Sequence, residues 1–308
     1  MKNNNLYFRR GSVYTNSIYI LSFILLLNVL VVSAQTIHPL EAAQQHYATL
    51  QKLNSKPNSK RAALDDIIFP PEKYSSGSLI YTMVTPAYLT PAQVTKLKNS
   101  IQYPANSSDQ TKAELEFLLS WQNKRTKSQE DRSLHVLAPI GYWPHADVLK
   151  NHPRHQQNLD YLFYEGRTVL GNTTTAENYP ATAKLLKGIT KDMRLMEFTV
   201  KYHLLRPRPY HLEPTLEPLA RISSPSFASG HTLWTYIQAF AWSELIPEKR
   251  KEFLAIAYEV GESREIMGIH YPSDEEGARV LAHRMLTAMS DNPIFIKDLE
   301  AAKGEWRK

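Results

Sequence analysis

The chain has 308 residues, contains no cysteine and carries a formal net charge of +6 at pH 7. This length accommodates one large domain with a sizeable hydrophobic core. The absence of cysteine excludes thiol catalysis and thiolate metal sites. The modest positive charge argues against a nucleic-acid-binding protein.

The first 34 residues have the pattern of a secretory signal peptide. A start with three basic and no acidic residues precedes an apolar run over 18–32, and Ser33-Ala34 then supplies small residues for cleavage. The apolar run is shorter than the roughly 20 residues that a membrane span needs. We therefore expect a signal peptide at 1–34 and one domain at 35–308, whose formal charge is +3 once the three leader charges are removed. The alternative is an uncleaved N-terminal anchor.

Helical patterns dominate the remaining chain. Thr90-Pro91-Ala92-Gln93 is a good helix start, and Ser273 to Glu276 has the form of a capping box. No strand alternation, internal repeat or second apolar stretch of spanning length is present. The sequence predicts an all-α fold, a single domain built around a helical bundle. In chain order, we predict helices over 38–53, 91–101, 108–124, 157–170, 181–204, 231–244, 248–266 and 274–290.

Three segments of the C-terminal half carry the polar residues of greatest interest. They are Lys201 to Pro209, Ser229-Gly230-His231, and the stretch from Ser263-Arg264 to His270 and Asp274. Taken singly, each has an ordinary explanation. Cations near a helix end complement the helix dipole, and a histidine four residues before an aspartate forms a common surface pair. An aromatic loop at Tyr142-Trp143 is a weaker candidate for substrate contact, since such loops more often pack on the core.

Taken together, the three segments have one spacing: Lys, six residues, Arg-Pro; Ser-Gly-His; Ser-Arg, five residues, His, three residues, Asp. This pattern resembles the signature of the type 2 phosphatidic acid phosphatase superfamily. That superfamily also contains the bacterial class A acid phosphatases and the vanadium haloperoxidases. The match covers residues 201–274, about a quarter of the chain. Ala228 departs from the family's usual proline, which leaves the assignment to a subfamily in doubt.

The resemblance implies a helical bundle of the acid phosphatase and vanadium-dependent haloperoxidase type. It also implies that Lys201, Arg208 and Arg264 surround the phosphoryl oxygens. Ser229 and the backbone N–H of Gly230 would add neutral donors there. Such positioning and charge stabilisation are what phosphoryl transfer requires.

By the same resemblance, His270 is the nucleophile and forms a phosphohistidine. Asp274 would hydrogen-bond the other ring nitrogen of His270 and fix its tautomer. His231 would protonate the leaving oxygen and then activate water. These assignments involve no metal and no other cofactor.

The expected function is that of an exported, vanadate-sensitive acid phosphatase, periplasmic or secreted, acting on small phosphomonoesters. We expect no nucleic-acid partner and no stable membrane insertion after leader cleavage, and the resemblance is compatible with a homodimer. The alternatives are a membrane-associated lipid phosphate phosphatase and a vanadium-dependent haloperoxidase. Detergent-dependent activity with a retained leader would favour the first, and halide oxidation that needs vanadate and peroxide would favour the second.

Overall fold

The computed structural model describes residues 37–70, 79–141 and 150–307. Within these ranges the backbone forms α-helices and a few 3-10 and π segments but no β-strand, which confirms the all-α class. The residues from Ile37 onward form one compact unit. The predicted signal peptide and the aromatic loop at Tyr142-Trp143 lie outside the described residues.

Twelve α-helices run through the described ranges. In chain order they are α1 Gln45–Leu50, α2 Pro91–Asn99, α3 Asp109–Lys124, α4 Lys127–Asp131, α5 His155–Leu162, α6 Tyr164–Leu170, α7 Pro180–Leu204, α8 Pro209–Leu212, α9 Gly230–Leu245, α10 Arg250–Ile266, α11 Pro272–Met289 and α12 Pro293–Trp306. The 3-10 segments are Ser59–Asp66, Ile80–Met83 and Pro247–Lys249, and a π segment covers Arg132–Leu137. None of these helices combines the length and apolarity that a membrane span requires.

Helix α9 lies at the centre of the bundle. Every one of its residues except His231 is buried, and apolar residues occur on all of its sides, as expected for an internal helix. Helices α7, α10 and α11 pack around it. Trp234 and Trp242 fill the core at no more than 1% exposure. The packing of α9 therefore fixes the position of its N-terminus, where Ser229-Gly230-His231 lies.

Several predicted helix starts are confirmed by their caps. The Thr90 hydroxyl accepts from the backbone N–H of Gln93 at 3.2 Å, and the Gln93 side chain accepts in return from Thr90 N–H at 2.9 Å. The Ser108 hydroxyl accepts from Thr111 N–H at 3.0 Å and begins α3. The long helix predicted at 181–204 is α7.

Other predicted boundaries are wrong for identifiable reasons. The first helix covers only α1 rather than 38–53, because the backbone N–H and ring of His38 are held by the Glu244 carboxylate. The capping box predicted at Ser273–Glu276 does not form. Ser273 instead donates to Glu114 at 2.7 Å, and α11 begins two residues before Asp274. The helix predicted at 157–170 is divided into α5 and α6 at Phe163, which is fully buried against Trp242.

The close contact of α7 with Tyr88 gives a stability prediction. A methyl group added at Gly188 would lie 2.6 Å from both Cζ and the hydroxyl oxygen of Tyr88. The Tyr88 ring cannot move freely, because its hydroxyl binds Asp298 at 3.0 Å. We expect Gly188→Ala to lower the free energy of unfolding by about 1–3 kcal/mol through overpacking, as measured by urea denaturation.

Gly304→Ala on α12 is the matched control. Nothing lies within 4 Å of a methyl group at this position, so the change adds helix propensity alone. We expect it to raise the free energy of unfolding by about 0.5–1 kcal/mol. Equal stabilities of the two variants would contradict the packing of Tyr88 on α7.

Candidate active site

The three predicted segments converge where several helices end. The Lys201 ammonium, near the end of α7, donates to the carbonyl of Pro225 at 2.8 Å in the loop before α9. Arg208 Nη1 donates to the carbonyl of Ile269 at 2.9 Å in the loop before α11. The backbone N–H of Ser229 donates to the carbonyl of Asp274 at 3.2 Å. Residues that are separated by up to 73 positions in the sequence therefore share one site.

The turn after α10 places His270 next to this convergence. Ile269 N–H donates to the Arg264 carbonyl at 3.2 Å, and Gly268 N–H donates to the Glu265 carbonyl at 2.9 Å. This pair of bonds is the Schellman pattern, which needs a left-handed residue just after the helix. Gly268 supplies it with φ of 68°, a conformation that glycine adopts without a side-chain clash.

His270 and Asp274 form a buried pair with a defined proton arrangement. The distance from His270 Nδ1 to Asp274 Oδ2 is 3.0 Å, and Arg208 Nη1 lies 2.9 Å from His270 Nε2. Because arginine only donates and an ionised aspartate only accepts, Nδ1 carries the proton and Nε2 presents a lone pair. Burial and the neighbouring Arg208 guanidinium hold the pKa of His270 well below its ordinary value. The ring is thus neutral, as a nucleophile must be.

Asp274 is held by groups that the sequence did not single out. Arg206 Nη1 donates to Asp274 Oδ1 at 2.7 Å, and Ser226 donates to Oδ2 at 2.5 Å. Burial opposes ionisation, but Arg206, His270 and Ser226 together lower the pKa of Asp274 below its ordinary range. Arg206 is itself fully buried and also pairs with Glu114 at 3.3 Å. In the sequence, the only hint of this role is that Arg206 lies with Arg208 in the segment Arg-Pro-Arg-Pro.

The three predicted phosphate-binding cations differ from Arg206 in their partners. Lys201, Arg208 and Arg264 are each 1% exposed, yet none lies within ion-pair distance of a carboxylate among the described residues. Their donors are met by backbone carbonyls and by hydroxyl groups such as those of Ser224 and Ser263. Buried charges are normally paired, because desolvation costs several kcal/mol per ion. The cluster therefore has the charge and the hydrogen-bond donors that an anion would need.

Burial shifts the proton equilibria of these cations. It lowers the pKa of Lys201 to about 7, with a further contribution from Arg208. It also lowers the pKa of Arg264 to about 10 and shifts that of Arg208 downward. The two guanidinium groups stay charged at neutral pH, whereas Lys201 titrates there. A bound anion would raise the pKa of Lys201 again.

The N-terminus of α9 adds neutral donors to the cluster. Ser229 is its fully buried N-cap, and the positive end of the helix dipole lies at Gly230. A side chain at Gly230 would collide with the Glu197 carboxylate, which Arg194 holds at 2.6 Å. The preceding residue, Ala228, is buried, and its peptide bond to Phe227 is cis.

His231 lies beside the cations without a hydrogen bond to them. Its Nε2 donates to the carbonyl of Ala138 at 2.9 Å, so Nδ1 is the nitrogen left to exchange a proton. Burial and the charge of Arg264 lower its pKa to about 3. Within the described ranges, no group of three or more histidine, aspartate or glutamate side chains is arranged to hold a metal ion.

Several known proteins are similar to this chain. Residues 180–292 match the family model described as the PAP2 superfamily. A non-specific acid phosphatase from Providencia stuartii is 31% identical over 144 residues, covering 45% of this chain and 58% of that protein. The non-specific acid phosphatase of Salmonella typhimurium is 28% identical over 144 residues, covering 44% and 57% respectively. A bacterial vanadium-dependent iodoperoxidase structure aligns over 79% of this chain and 63% of its own, with 15% identity and a TM-score of 0.46.

Residues 180–292 therefore form a domain of the PAP2 superfamily, which confirms the resemblance drawn from the motif spacing. All eight predicted site residues lie inside this domain. The chain spans 58% and 57% of the lengths of the two curated relatives, so their activity enters as a proposal.

The titration of Lys201 predicts a pH-dependent anion affinity. Sulfate stays dianionic above pH 4, so any change in its affinity reports on the protein. Below pH 7 Lys201 is charged, and above pH 7 the free site loses this cation. We expect the dissociation constant of sulfate, measured by calorimetry, to rise by up to tenfold per pH unit from about pH 7.

Two variants separate this effect from general charge loss. Lys201→Met should weaken sulfate binding at pH 6. In this variant the dissociation constant should also change little as the pH rises further. Lys187→Met, on the same helix, should have the same sulfate affinity and the same pH dependence as the unmodified protein. A Lys201→Met protein with an unchanged pH profile would contradict the assignment.

Proposed function

We propose that this protein is an exported acid phosphatase that hydrolyses small phosphomonoesters through a phosphohistidine on His270. The observation that carries the proposal is the group of three buried cations that have no carboxylate partner among the described residues. They lie beside a neutral histidine whose Nε2 carries a lone pair and no proton. A simple anion-binding site would need the cations alone. The oriented His270–Asp274 pair adds a nucleophile to them.

The cations suit the charge distribution of phosphoryl transfer. In the transition state, negative charge is spread over three equatorial phosphoryl oxygens. Lys201, Arg208 and Arg264 supply fixed positive charge in a buried setting, where each interaction is stronger than in water. The guanidinium groups add planar, bidentate donors. In this proposal, fixed side-chain cations perform the charge stabilisation that a metal ion supplies in other phosphatases.

In the first step, Nε2 of His270 attacks phosphorus while the bond to the leaving oxygen breaks. In the structure, Arg208 contacts Nε2 of His270. In the substrate complex it would contact the phosphoryl oxygens instead. The Nδ1 proton stays on the ring, so the imidazole ring of the phosphohistidine is cationic. Asp274, kept ionised by Arg206, stabilises that charge.

His231 is the proposed proton carrier. The negative charge of bound substrate raises its pKa from the low value of the free site, so that Nδ1 can carry a proton. It gives this proton to the leaving oxygen in the first step. In the second step it takes a proton from the water that attacks the phosphohistidine, and inorganic phosphate is released.

Export is supported by the signal-peptide pattern of residues 1–34. The two acid phosphatase relatives support the substrate class, although each is aligned over less than half of this chain. Vanadate should inhibit the hydrolysis, because it would bind to the same cations as a pentacoordinate mimic of the transferred phosphoryl group.

Hydrolysis of p-nitrophenyl phosphate by the purified full-length protein tests the proposal. We expect turnover from pH 4 to 8 that is strongest on the acid side, persists in excess EDTA and is blocked by orthovanadate. The acid preference follows from the loss of the Lys201 charge above pH 7. His270→Asn should lower kcat by at least about 10³, since it removes the nucleophile.

His203→Asn is the matched control, because His203 is an exposed histidine of α7. It should retain the activity of the unmodified protein. Turnover that requires an added divalent metal, or that survives in His270→Asn, would contradict the mechanism. Turnover of a phosphorylated lipid in detergent, with none of the aryl ester, would contradict the substrate class.

A further inference from the structure

A further acidic residue lies directly behind the N-terminus of α9. The carboxyl group of Glu275, the residue after Asp274, is hydrogen-bonded to the Thr232 hydroxyl. The Thr232 oxygen is in turn 3.0 Å from that of Ser229. Ser229 and Thr232 are fully buried, and Glu275 is 9% exposed. A continuous chain of three polar groups therefore connects Glu275 with a predicted phosphate donor.

The surroundings of Glu275 favour the neutral carboxylic acid. Its Oε1 has no hydrogen-bond partner among the described residues, and burying an ionised oxygen in this way is costly. Burial raises its pKa well above the ordinary value. Hydrogen bonds with Thr232 and Ser229 act in the opposite direction, and the nearby Glu265 and Asp274 raise the pKa further. Asp274, paired with Arg206, keeps its charge instead.

Opposing charges also face Glu275. The cations of Arg264, Lys201 and Arg208 lie close enough to interact with it. The other titratable groups around it line a small cavity between α1, α9, α10 and α11. They are His46, Tyr47, Tyr236, Tyr258, Glu262, Glu276 and Arg279. An ionised Glu275 would offset part of the positive charge that the cluster holds for its ligand, whereas a neutral one does not.

The proton on Glu275 decides where the Ser229 proton points. Each hydroxyl donates one hydrogen bond. If Glu275 is ionised, Thr232 donates to it, and Ser229 then donates to Thr232 or to Glu275 itself, away from the phosphoryl group. If Glu275 is protonated, it donates to Thr232, and Thr232 donates to Ser229. The Ser229 proton is then free to bind the phosphoryl group.

We infer that Glu275, as the neutral acid, is a positioning residue that turns the Thr232 and Ser229 hydroxyls so that Ser229 donates to the phosphoryl group. This inference rests on the proposed function, because it takes Ser229 as a donor to bound phosphate. It adds a residue outside the motif pattern. Its consequence is that the strength of the Ser229 bond depends on Thr232 and Glu275, which do not contact the ligand.

Sulfate binding to the full-length protein, measured by calorimetry at pH 5, tests the relay without requiring turnover. A hydrogen bond to a charged group contributes about 1.5–3 kcal/mol, so Ser229→Ala should weaken binding by about tenfold or more. Thr232→Val breaks the chain at its centre and should weaken binding similarly. The double variant should bind no more weakly than Ser229→Ala alone. Thr235→Val is the control. The Thr235 hydroxyl donates to the carbonyls of His231 and Thr232 in its own helix, so this change should not alter the affinity.

Glu275→Gln distinguishes a donor from a carboxylate. Its amide can donate to Thr232 as the protonated acid does, so it should retain at least half of the sulfate affinity. Glu275→Leu should bind as weakly as Thr232→Val. Equal losses in Glu275→Gln and Glu275→Leu would overturn the relay, as would a Thr232→Val effect that persists undiminished in the Ser229→Ala background. Absence of hydrolysis with these sulfate results intact would count against the proposed function alone.

Discussion

The buried cations without carboxylate partners are the constraint on which the rest of the site depends. Lys201, Arg208 and Arg264 are removed from water. Among the described residues their hydrogen-bond partners are carbonyls, hydroxyl groups and the ring nitrogen of His270. Such an arrangement destabilises the protein until an anion enters. Arg206 shows the contrasting case. It is equally buried, but it pairs with Glu114 and Asp274 and makes cation–π contacts with the Tyr103 and Tyr271 rings. Arginine therefore has two roles here. Arg206 holds Asp274 in place, whereas Arg208, two residues later, is proposed to bind the phosphoryl group.

Helix α9 couples this electrostatic arrangement to the fold. Its buried, apolar length anchors it among α7, α10 and α11, and these neighbours carry Lys201, Arg264 and Asp274. Packing in the core thus sets the positions of the charges to within hydrogen-bond distances. The helix dipole at Gly230 adds to the cations, and the Ser229 cap contributes both to helix stability and to the proposed phosphate contacts.

The sequence predicts the helical class and the convergence of the three segments because motif spacing reflects a shared geometry. It does not predict the supporting groups, since their partners are far away along the chain. Arg206 and Glu114 are 92 positions apart, and Glu275 looks like an exposed residue in the first turn of α11. The capping box at Ser273 was wrong for the same reason, because Ser273 binds Glu114 rather than its own helix. The eight site roles, the signal peptide and export remain predictions. Local pattern thus finds the residues of the motif better than the groups that hold them in place.

The central claim is that His270 becomes phosphorylated during turnover, and rapid acid-free quenching of the protein with ³²P-labelled p-nitrophenyl phosphate tests it most directly. We expect a label that is stable in alkali and lost in acid, located by peptide mapping to the segment containing His270 and absent from His270→Ala. An acid-stable label on Ser229, or full labelling of His270→Ala, would contradict the account.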